Sequence, residues 1–339
     1  MVMKMKYLWL SSFLVFALAV CPTSLLAQAP SLENLRVSFA SFGVIYYPDF
    51  FAKELGYYRD ESLNVEIIAM PGGLATQALV AGDLHFSTSS GSSLNASLRG
   101  IKLKVVYVNL DRPLYKILSW RDDIRKVADL RGKGIGIASR GDTMEGAANL
   151  MLRQHGMDPV RDVIWVALGT GGRVTSLAAK AVDSAVLGFA DSLRMQTRGF
   201  AVHEVANIGK EIKMLYTGLA ASEEMVVKRP DLVRRFLRAT VKGREFVKRF
   251  KAQSLALGKK YDKSPDDVRS ADYDATMEMM TADGTEDIET QKSDIETAKR
   301  MLNIQKDVPV EQIFDFRFTR EIYKELREAG WDRALRVGK

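Results

Sequence analysis

The alternation of apolar and polar positions along the chain runs through nearly the same sequence of elements twice. A short alternating run ends in Ala40-Ser41-Phe42-Gly43, and another ends in Ala138-Ser139-Arg140-Gly141. Each is followed by apolar residues at helical spacing, from Pro48 to Gly56 and from Thr143 to His155. Strand-like runs come next, Val65 to Ala69 leading into Gly72-Gly73 and Val163 to Ala167 leading into Gly171-Gly172. Short helical stretches then close at Asp83 and Asp183, before strand-like runs over 84–88 and 184–188. Each copy ends with a polar helix stopping at Arg-Gly (Arg99-Gly100, Arg198-Gly199) and a last alternating run, 101–109 or 200–208. Four landmarks keep an offset of 98 to 100 residues. Alternating strands and helices in this order predict a parallel sheet with helices on both faces, one for each copy. The period is too long, and two copies too few, for a solenoid.

The connecting pieces complete the architecture. Asp111-Arg112-Pro113 leaves the first copy, Tyr115 to Trp120 reads as a strand crossing over, and 124–130 as a short helix. Leu215 to Ser222 reads as a strand crossing back. The rest is helical. Pro230 suits a first helical position, and Leu232, Val233, Phe236, Leu237, Val241 and Phe246 share one face as far as Phe250. Ser264-Pro265-Asp266-Asp267 is a helix start, and Thr319 caps a helix over 320–329 that stops at Gly330. The expected fold is α/β, with two lobes joined by two hinge strands: 31–112 and 214–339 form lobe 1, with the helical tail packed on it, and 113–213 form lobe 2.

Composition changes this picture at the N terminus. Lys4 and Lys6 precede an apolar run from Tyr7 to Val20, and Ser24 to Ala27 supplies small residues, so 1–27 reads as a signal peptide too short to span a bilayer. Cys21 falls inside it, in a weak lipoprotein-type box whose bland reading is an apolar residue of a discarded peptide. The remaining 312 residues contain no cysteine, which excludes disulfides, thiolate nucleophiles and cysteine metal clusters. Removing Lys4 and Lys6 takes the formal charge from +7 to +5, with basic and acidic residues interspersed. That balance favours small anions slightly and gives no nucleic-acid signature. A soluble, monomeric, periplasmic protein is expected.

Ligands of parallel sheets bind beyond the carboxyl ends of the strands, where loops enter helix N-termini. Ser41, Phe42 and Tyr46 follow the first strand, Gly72 and Gly73 the second, Ser89 and Ser90 the third. In the second copy the equivalents are Ser139, Arg140, Gly141 and Thr143, then Gly171 and Gly172, then Asp191. Turn geometry alone also accounts for the glycines, and Asp142 with Glu145 reads as a capping box. Arg140 is the leading single candidate, because a basic residue at a helix mouth opposes the dipole. Arg140 and Arg173 could each add a fixed charge and a planar fork, but Arg173 reads more as a solvated residue. His85, His155 and His203 are scattered, and no H-E-x-x-H, G-x-S-x-G or P-loop occurs. Gly132, Gly134 and Gly136 precede or lie within a strand, which rules out a dinucleotide loop. Neither a catalytic residue nor a cofactor or metal is expected.

The stretches ELGYYRDESLNVEIIAMPGG, ALVAGDLHFSTSSG and VADLRGKGIGIASRGDT resemble the substrate-binding proteins of bacterial ABC importers of the nitrate/sulfonate/taurine type, relatives of thiamine-pyrimidine precursor binders. The resemblance covers about residues 34 to 250. It implies a type II periplasmic binding protein fold, binding without chemistry, and delivery to an inner-membrane permease; the Ser, Thr and Gly-Gly loops with one Arg, and the aromatics, point to a small organic anion of sulfonate or carboxylate type. It also implies an aromatic contact just after the first strand, from Phe42 or Tyr46. Three alternatives stand beside it: a periplasmic sensor or scavenger, a pyrimidine binder, and a thiamine-pyrimidine synthase. The last carries a cysteine-rich motif that this chain lacks.

Overall fold

The computed structural model describes residues 32–40 and 42–336. The expected signal peptide, Cys21 and Ser41 lie outside the described residues. Ten strands form two five-stranded sheets. The first holds β1 (Glu33–Phe39), β2 (Leu63–Ala69), β3 (Phe86–Ser87), β4 (Leu103–Leu110) and, from late in the chain, β10 (Thr217–Ser222), in the order β2-β1-β3-β10-β4. The second holds β5 (Tyr115–Ser119), β6 (Gly134–Ile137), β7 (Ile164–Ala167), β8 (Ser184–Gly188) and β9 (His203–Asn207), in the order β7-β6-β8-β5-β9. The two orders are the same once one copy is laid on the other.

The repeat extends to register. Phe39 faces Ala69 and Val37 faces Phe86 in the first sheet, while Ile137 faces Ala167 and Ile135 faces Ser184 in the second, each residue 98 positions beyond its counterpart. Side chains alternate faces along a strand, so one shared register puts equivalent apolar positions into equivalent cores. Two of these cores centre on Leu35, Val37, Phe86 and Val106 and on Ile117, Ile135, Ile137 and Val186.

The sheets are mixed, which corrects the expectation of parallel ones. β10 runs antiparallel to β3 and β4, and β5 antiparallel to β8 and β9. The reason lies in the crossings. The chain leaves β4 at its carboxyl end, Leu110, and begins β5 at Tyr115, opposite the last residue of β8, Gly188. A strand entering at a carboxyl edge can only run back against its neighbours. Both crossings therefore lie along the edge where ligands of such sheets bind.

The helical tail packs on lobe 1. The helix Pro230–Arg249 lies against Tyr47–Glu54 and against Arg317–Ala329. Its Phe236 ring stacks on Phe86 at 4.0 Å and on Tyr58 at 5.2 Å. Gly243 sits where two helices nearly touch: a Cβ there would stand 2.1 Å from the Pro48 carbonyl oxygen and 2.9 Å from the Ala52 nitrogen. Gly243→Ala must push the helices apart, and chemical denaturation should show a loss of about 3 kcal/mol. Two further tail helices also reach lobe 2. Asp266–Met279 packs on Phe189–Thr197, and Ile288–Leu302 meets Thr143–Gln154, with Met301 filling the space above Gly146.

Two local expectations need correction. The helix expected over 124–130 is only a 3-10 turn at Val127–Leu130, held by the Asp129 carboxylate. The last long helix begins at Arg317, so Thr319 lies inside it. The Thr319 hydroxyl donates to the Val106 carbonyl at 2.7 Å, tying the helix to β4 instead of capping it. Among the described residues, no helix is long and apolar enough to cross a membrane.

Candidate functional site

Helices begin beyond β2, β3, β6, β7 and β8, at Gly72, Ser90, Thr143, Gly169 and Phe189. Their first turns carry backbone N–H groups without helical partners. These starts approach one another, within lobe 1 and, at Gly91, across to lobe 2. A Cβ on Gly72 would lie 2.9 Å from the Ser92 hydroxyl and 3.2 Å from that of Ser89. A Cβ on Gly91 would lie 3.0 Å from the Leu215 carbonyl oxygen, in the returning crossover, and 3.5 Å from the Thr143 hydroxyl, in lobe 2. Gly91, Thr143, Met214, Leu215, Asp294 and Met301 line a narrow recess between the lobes.

Several predicted residues meet at this edge. Tyr46 is buried, and Phe42 is 60 % exposed, edge-on to Phe39 at 5.0 Å and parallel to Phe50 at 6.1 Å. Gly72 and Gly73 open their helix, and Ser89 holds the N-cap position of the next, its backbone N–H donating to the Ser87 hydroxyl at 3.2 Å. Ser90 is fully buried, and its hydroxyl finds no partner among the described residues. Gly171 and Gly172 lie in the first turn of Gly169–Ala178.

In the loop from Ser139 to Thr143 the expected capping pair, Asp142 and Glu145, forms. The Ser139 backbone N–H and hydroxyl both donate to the Asp142 carboxylate at 3.1 Å, and the Glu145 N–H donates to it at 2.8 Å. The Gly141 N–H, at a left-handed φ of 76°, is taken by Glu145. Asp142 and Glu145 thus occupy the donors that a ligand would need. Arg140 is 60 % exposed in its side chain, and its Nε pairs with Glu145 at 3.0 Å. That buried carboxylate explains a basic residue at the helix mouth. Asp191 is likewise held by Arg194, three residues on.

Sequence reasoning placed Arg173 in solvent, whereas the structure buries it to 4 % exposure. One face of Gly169–Ala178 turns onto the sheet, and Arg173 lies on that face with Leu177. Its Nη1 donates to the Val186 carbonyl at 2.8 Å and approaches the Met144 sulfur at 2.9 Å, while its Nε has no partner. No carboxylate pairs with it among the described residues. A buried guanidinium without a counter-ion is costly.

Two tyrosines that the sequence reading passed over stand beside it. Tyr115 opens β5 and Tyr216 directly precedes β10, so each crossing contributes one, and their rings meet edge to face at 5.2 Å. Burial pushes the hydroxyls of Tyr46, Tyr115 and Tyr216 well up, and the nearby Arg173 charge pulls back on Tyr115 and Tyr216. All three stay neutral and can donate a hydrogen bond at any physiological pH. Their signal in the sequence was position alone: the aromatic residue at the mouth of each crossing.

Asp272 joins the tail to this edge. Its carboxylate accepts the Val44 N–H at 3.3 Å. Burial raises its pKa to about 7; the Val44 bond and Arg194 oppose the rise, while Asp262 and Asp191 add to it. A carboxyl that stays protonated in the folded state up to about 7 while the unfolded chain ionises near 3.8 makes stability fall as pH rises between those values, by about 1.4 kcal/mol per unit. Asp272→Asn should flatten that part of the stability–pH curve in denaturant titrations at pH 4 to 8.

The comparisons with known proteins agree with this architecture. Residues 46–249 match the family described as NMT1/THI5 like. The riboflavin-binding protein RibY of Chloroflexus aurantiacus is 26 % identical over 268 residues, covering 71 % of this chain and 74 % of its own. The periplasmic aliphatic sulphonate binding protein SsuA of Escherichia coli superposes with a TM-score of 0.67 at 20 % identity, over 83 % of this chain and 92 % of its own. The periplasmic nitrate-binding protein NrtA of Synechocystis PCC 6803 gives 0.71 at 14 % identity, over 90 % and 92 %. The fold is that of the periplasmic binding proteins, and the chain belongs to the NMT1/THI5-like family.

Proposed function

We propose that this chain is the solute-binding component of an importer, taking a small organic anion of sulfonate or carboxylate type between its lobes and passing it to an inner-membrane permease. The observation that carries the reading is Arg173, buried at the carboxyl edge of the second sheet with no acidic partner among the described residues. An anion there gains a bidentate, charge-assisted contact, with the Tyr115 and Tyr216 hydroxyls close to the same charge. The named relatives, which bind riboflavin, aliphatic sulphonate and nitrate, support a small-molecule ligand. Export to the periplasm, action as a monomer and binding without chemistry belong to the same reading. A ligand touching both lobes favours the closed form by its differential contacts.

Thermal-shift measurements with alkyl and aryl sulfonates, carboxylates, nitrate and aminopyrimidines test it. An anion at 100 times its dissociation constant should add roughly 2.7 kcal/mol of stability. A response to aminopyrimidines alone would overturn the anion assignment while keeping a binding protein.

A further inference from the structure

Two buried carboxyls of the helical tail meet at the hinge. Asp294, on the helix Ile288–Leu302, is 3 % exposed, and Glu286, just before that helix, is 6 % exposed. One Asp294 oxygen accepts the Leu215 N–H at 3.0 Å, in the returning crossover. That crossover is bonded to the outgoing one, the Met214 N–H to the Asp111 carbonyl at 3.0 Å and the Tyr216 N–H to the Leu110 carbonyl at 3.1 Å. The other Asp294 oxygen and both Glu286 side-chain oxygens meet no donor among the described residues, yet the two carboxyls lie within hydrogen-bonding reach of each other. Two ionised carboxylates so placed repel strongly where water screens little. A single proton between them supplies the missing donor. The same helix spans the hinge. Its Ile295 and Ala298 pack with Leu94 and Val105 of lobe 1, while its Arg300 carbonyl accepts from Arg153 Nη1 of lobe 2 at 3.3 Å.

We propose that Glu286 and Asp294 share one proton and lock the hinge: with the proton in place Asp294 holds the returning crossover and the lobes stay closed, and its loss as the pH rises frees them to open. Burial raises both carboxyls. The Asp294 charge raises Glu286 further, whereas hydrogen bonds from Glu286 and from the Leu215 N–H pull Asp294 back, so the proton resides on Glu286 and the charge on Asp294. From the two crossings, Asp111 raises both and Lys213 lowers both, the Lys213 ammonium lying 3.4 Å from Asp111. The other charges nearby are committed elsewhere. Ser90–Leu98 carries no ionisable residue, Glu145 of Thr143–Gln154 holds Arg140, and Glu311 of Val310–Ile313 is exposed. Asp283 accepts from the Thr285 hydroxyl, Asp287 caps the helix, and Glu289 and Glu296 pair with Lys292 and Lys299. Opening hydrates the pair and returns Glu286 towards its ordinary value of 4.5. A carboxyl raised in the closed form stabilises that form fully at low pH, and the stabilisation is lost as pH rises. The open-to-closed ratio then grows by up to about tenfold per pH unit.

Hydrogen-exchange mass spectrometry and small-angle X-ray scattering of the ligand-free protein between pH 6 and pH 9 test the lock. In the wild-type protein the protection factor of residues 213–216 should fall by up to about tenfold per pH unit, and the radius of gyration should rise with it. Glu286→Gln puts a permanent N–H donor where the proton was, and should hold both quantities constant. Lys213→Met, at an exposed position, removes the cation that favours ionisation and should move the fall to higher pH. Flat behaviour of the wild-type protein, or a Glu286→Gln protein that follows it, overturns the lock. A fall in protection with no change in radius overturns it too, because the event is then confined to the crossover. If Glu286→Gln does not fold, the Lys213→Met shift decides alone: its presence supports the lock and its absence overturns it. No ligand enters these measurements, so their failure leaves the Arg173 reading intact, and failure of that reading leaves the lock standing.

Discussion

Arg173→Met is expected to weaken the binding of anions at least about 100-fold while the empty protein melts no lower than wild type. Both halves follow from one observation. Arg173 is 4 % exposed, with one nitrogen on the Val186 carbonyl and no carboxylate partner among the described residues. Desolvating an unpaired charge costs several kcal/mol even after relaxation. A methionine of similar volume removes that cost and leaves one carbonyl less well satisfied, two effects that roughly offset each other. With an anion present the balance changes, because the charge-assisted fork disappears and nothing nearby replaces it. Arg173→Lys keeps the charge without the fork and should fall between. Arg140→Ala serves as the contrast, since Arg140 is 60 % exposed in its side chain and paired with Glu145. It should change affinity by less than about twofold, as expected for an exposed ion pair. Calorimetry on the four proteins checks the set.

The largest loss of stability is expected at another buried arginine, the most deeply buried of those among the described residues. Arg244 is 0 % exposed on the inner side of Pro230–Arg249. It donates to Glu245 at 3.0 Å, to the Thr281 carbonyl and to the Tyr323 hydroxyl. Tyr323 donates to the same Glu245 oxygen at 3.1 Å, and the Thr281 hydroxyl donates to the Val108 carbonyl at 2.6 Å. One guanidinium therefore ties the long tail helix, the Arg317–Ala329 helix and the loop at 281 to β4. Arg244→Met leaves the Glu245 carboxylate buried, with only partly exposed Lys248 and Arg249 beside it. Breaking a buried pair from one side costs about 3 to 5 kcal/mol. The denaturant midpoint should fall accordingly, and the surviving folded fraction should bind ligand with wild-type affinity, since Arg244 lies outside the cleft. Loss of affinity without loss of stability would contradict this placement.

The fold was legible in the sequence because the repeat is written in the apolar pattern. The 98-residue offset between Val37 and Ile135 is a matter of strand register, and strand register is set by which side chains enter the core. The crossing strands β5 and β10 were legible at 115–120 and 215–222, but their antiparallel direction was not. Each reads as one more alternating run, and alternation carries no direction. The site was legible by place and much less by residue. Turn chemistry pointed to Gly72, Ser90 and Thr143, which do gather at one edge. It also pointed to Arg140, where local sequence hid the reason for the charge: Glu145 is five residues on, one helical turn inward. Arg173 looked solvated because glycine-rich surroundings hide its orientation. Only the packing of Gly169–Ala178 on the second sheet turns it inward. Tyr115 and Tyr216 could not be singled out, since their meeting depends on both crossings returning to the carboxyl edges.

The measurement that tests the central claim most directly is a crystal structure of the protein with the most stabilising anion from the thermal-shift panel. The account predicts the ligand between the two sheets, with acid oxygens within hydrogen-bonding distance of the Arg173 guanidinium and contacts from both lobes. An anion seated instead on Arg140 at the surface, or one leaving Arg173 untouched, would contradict it.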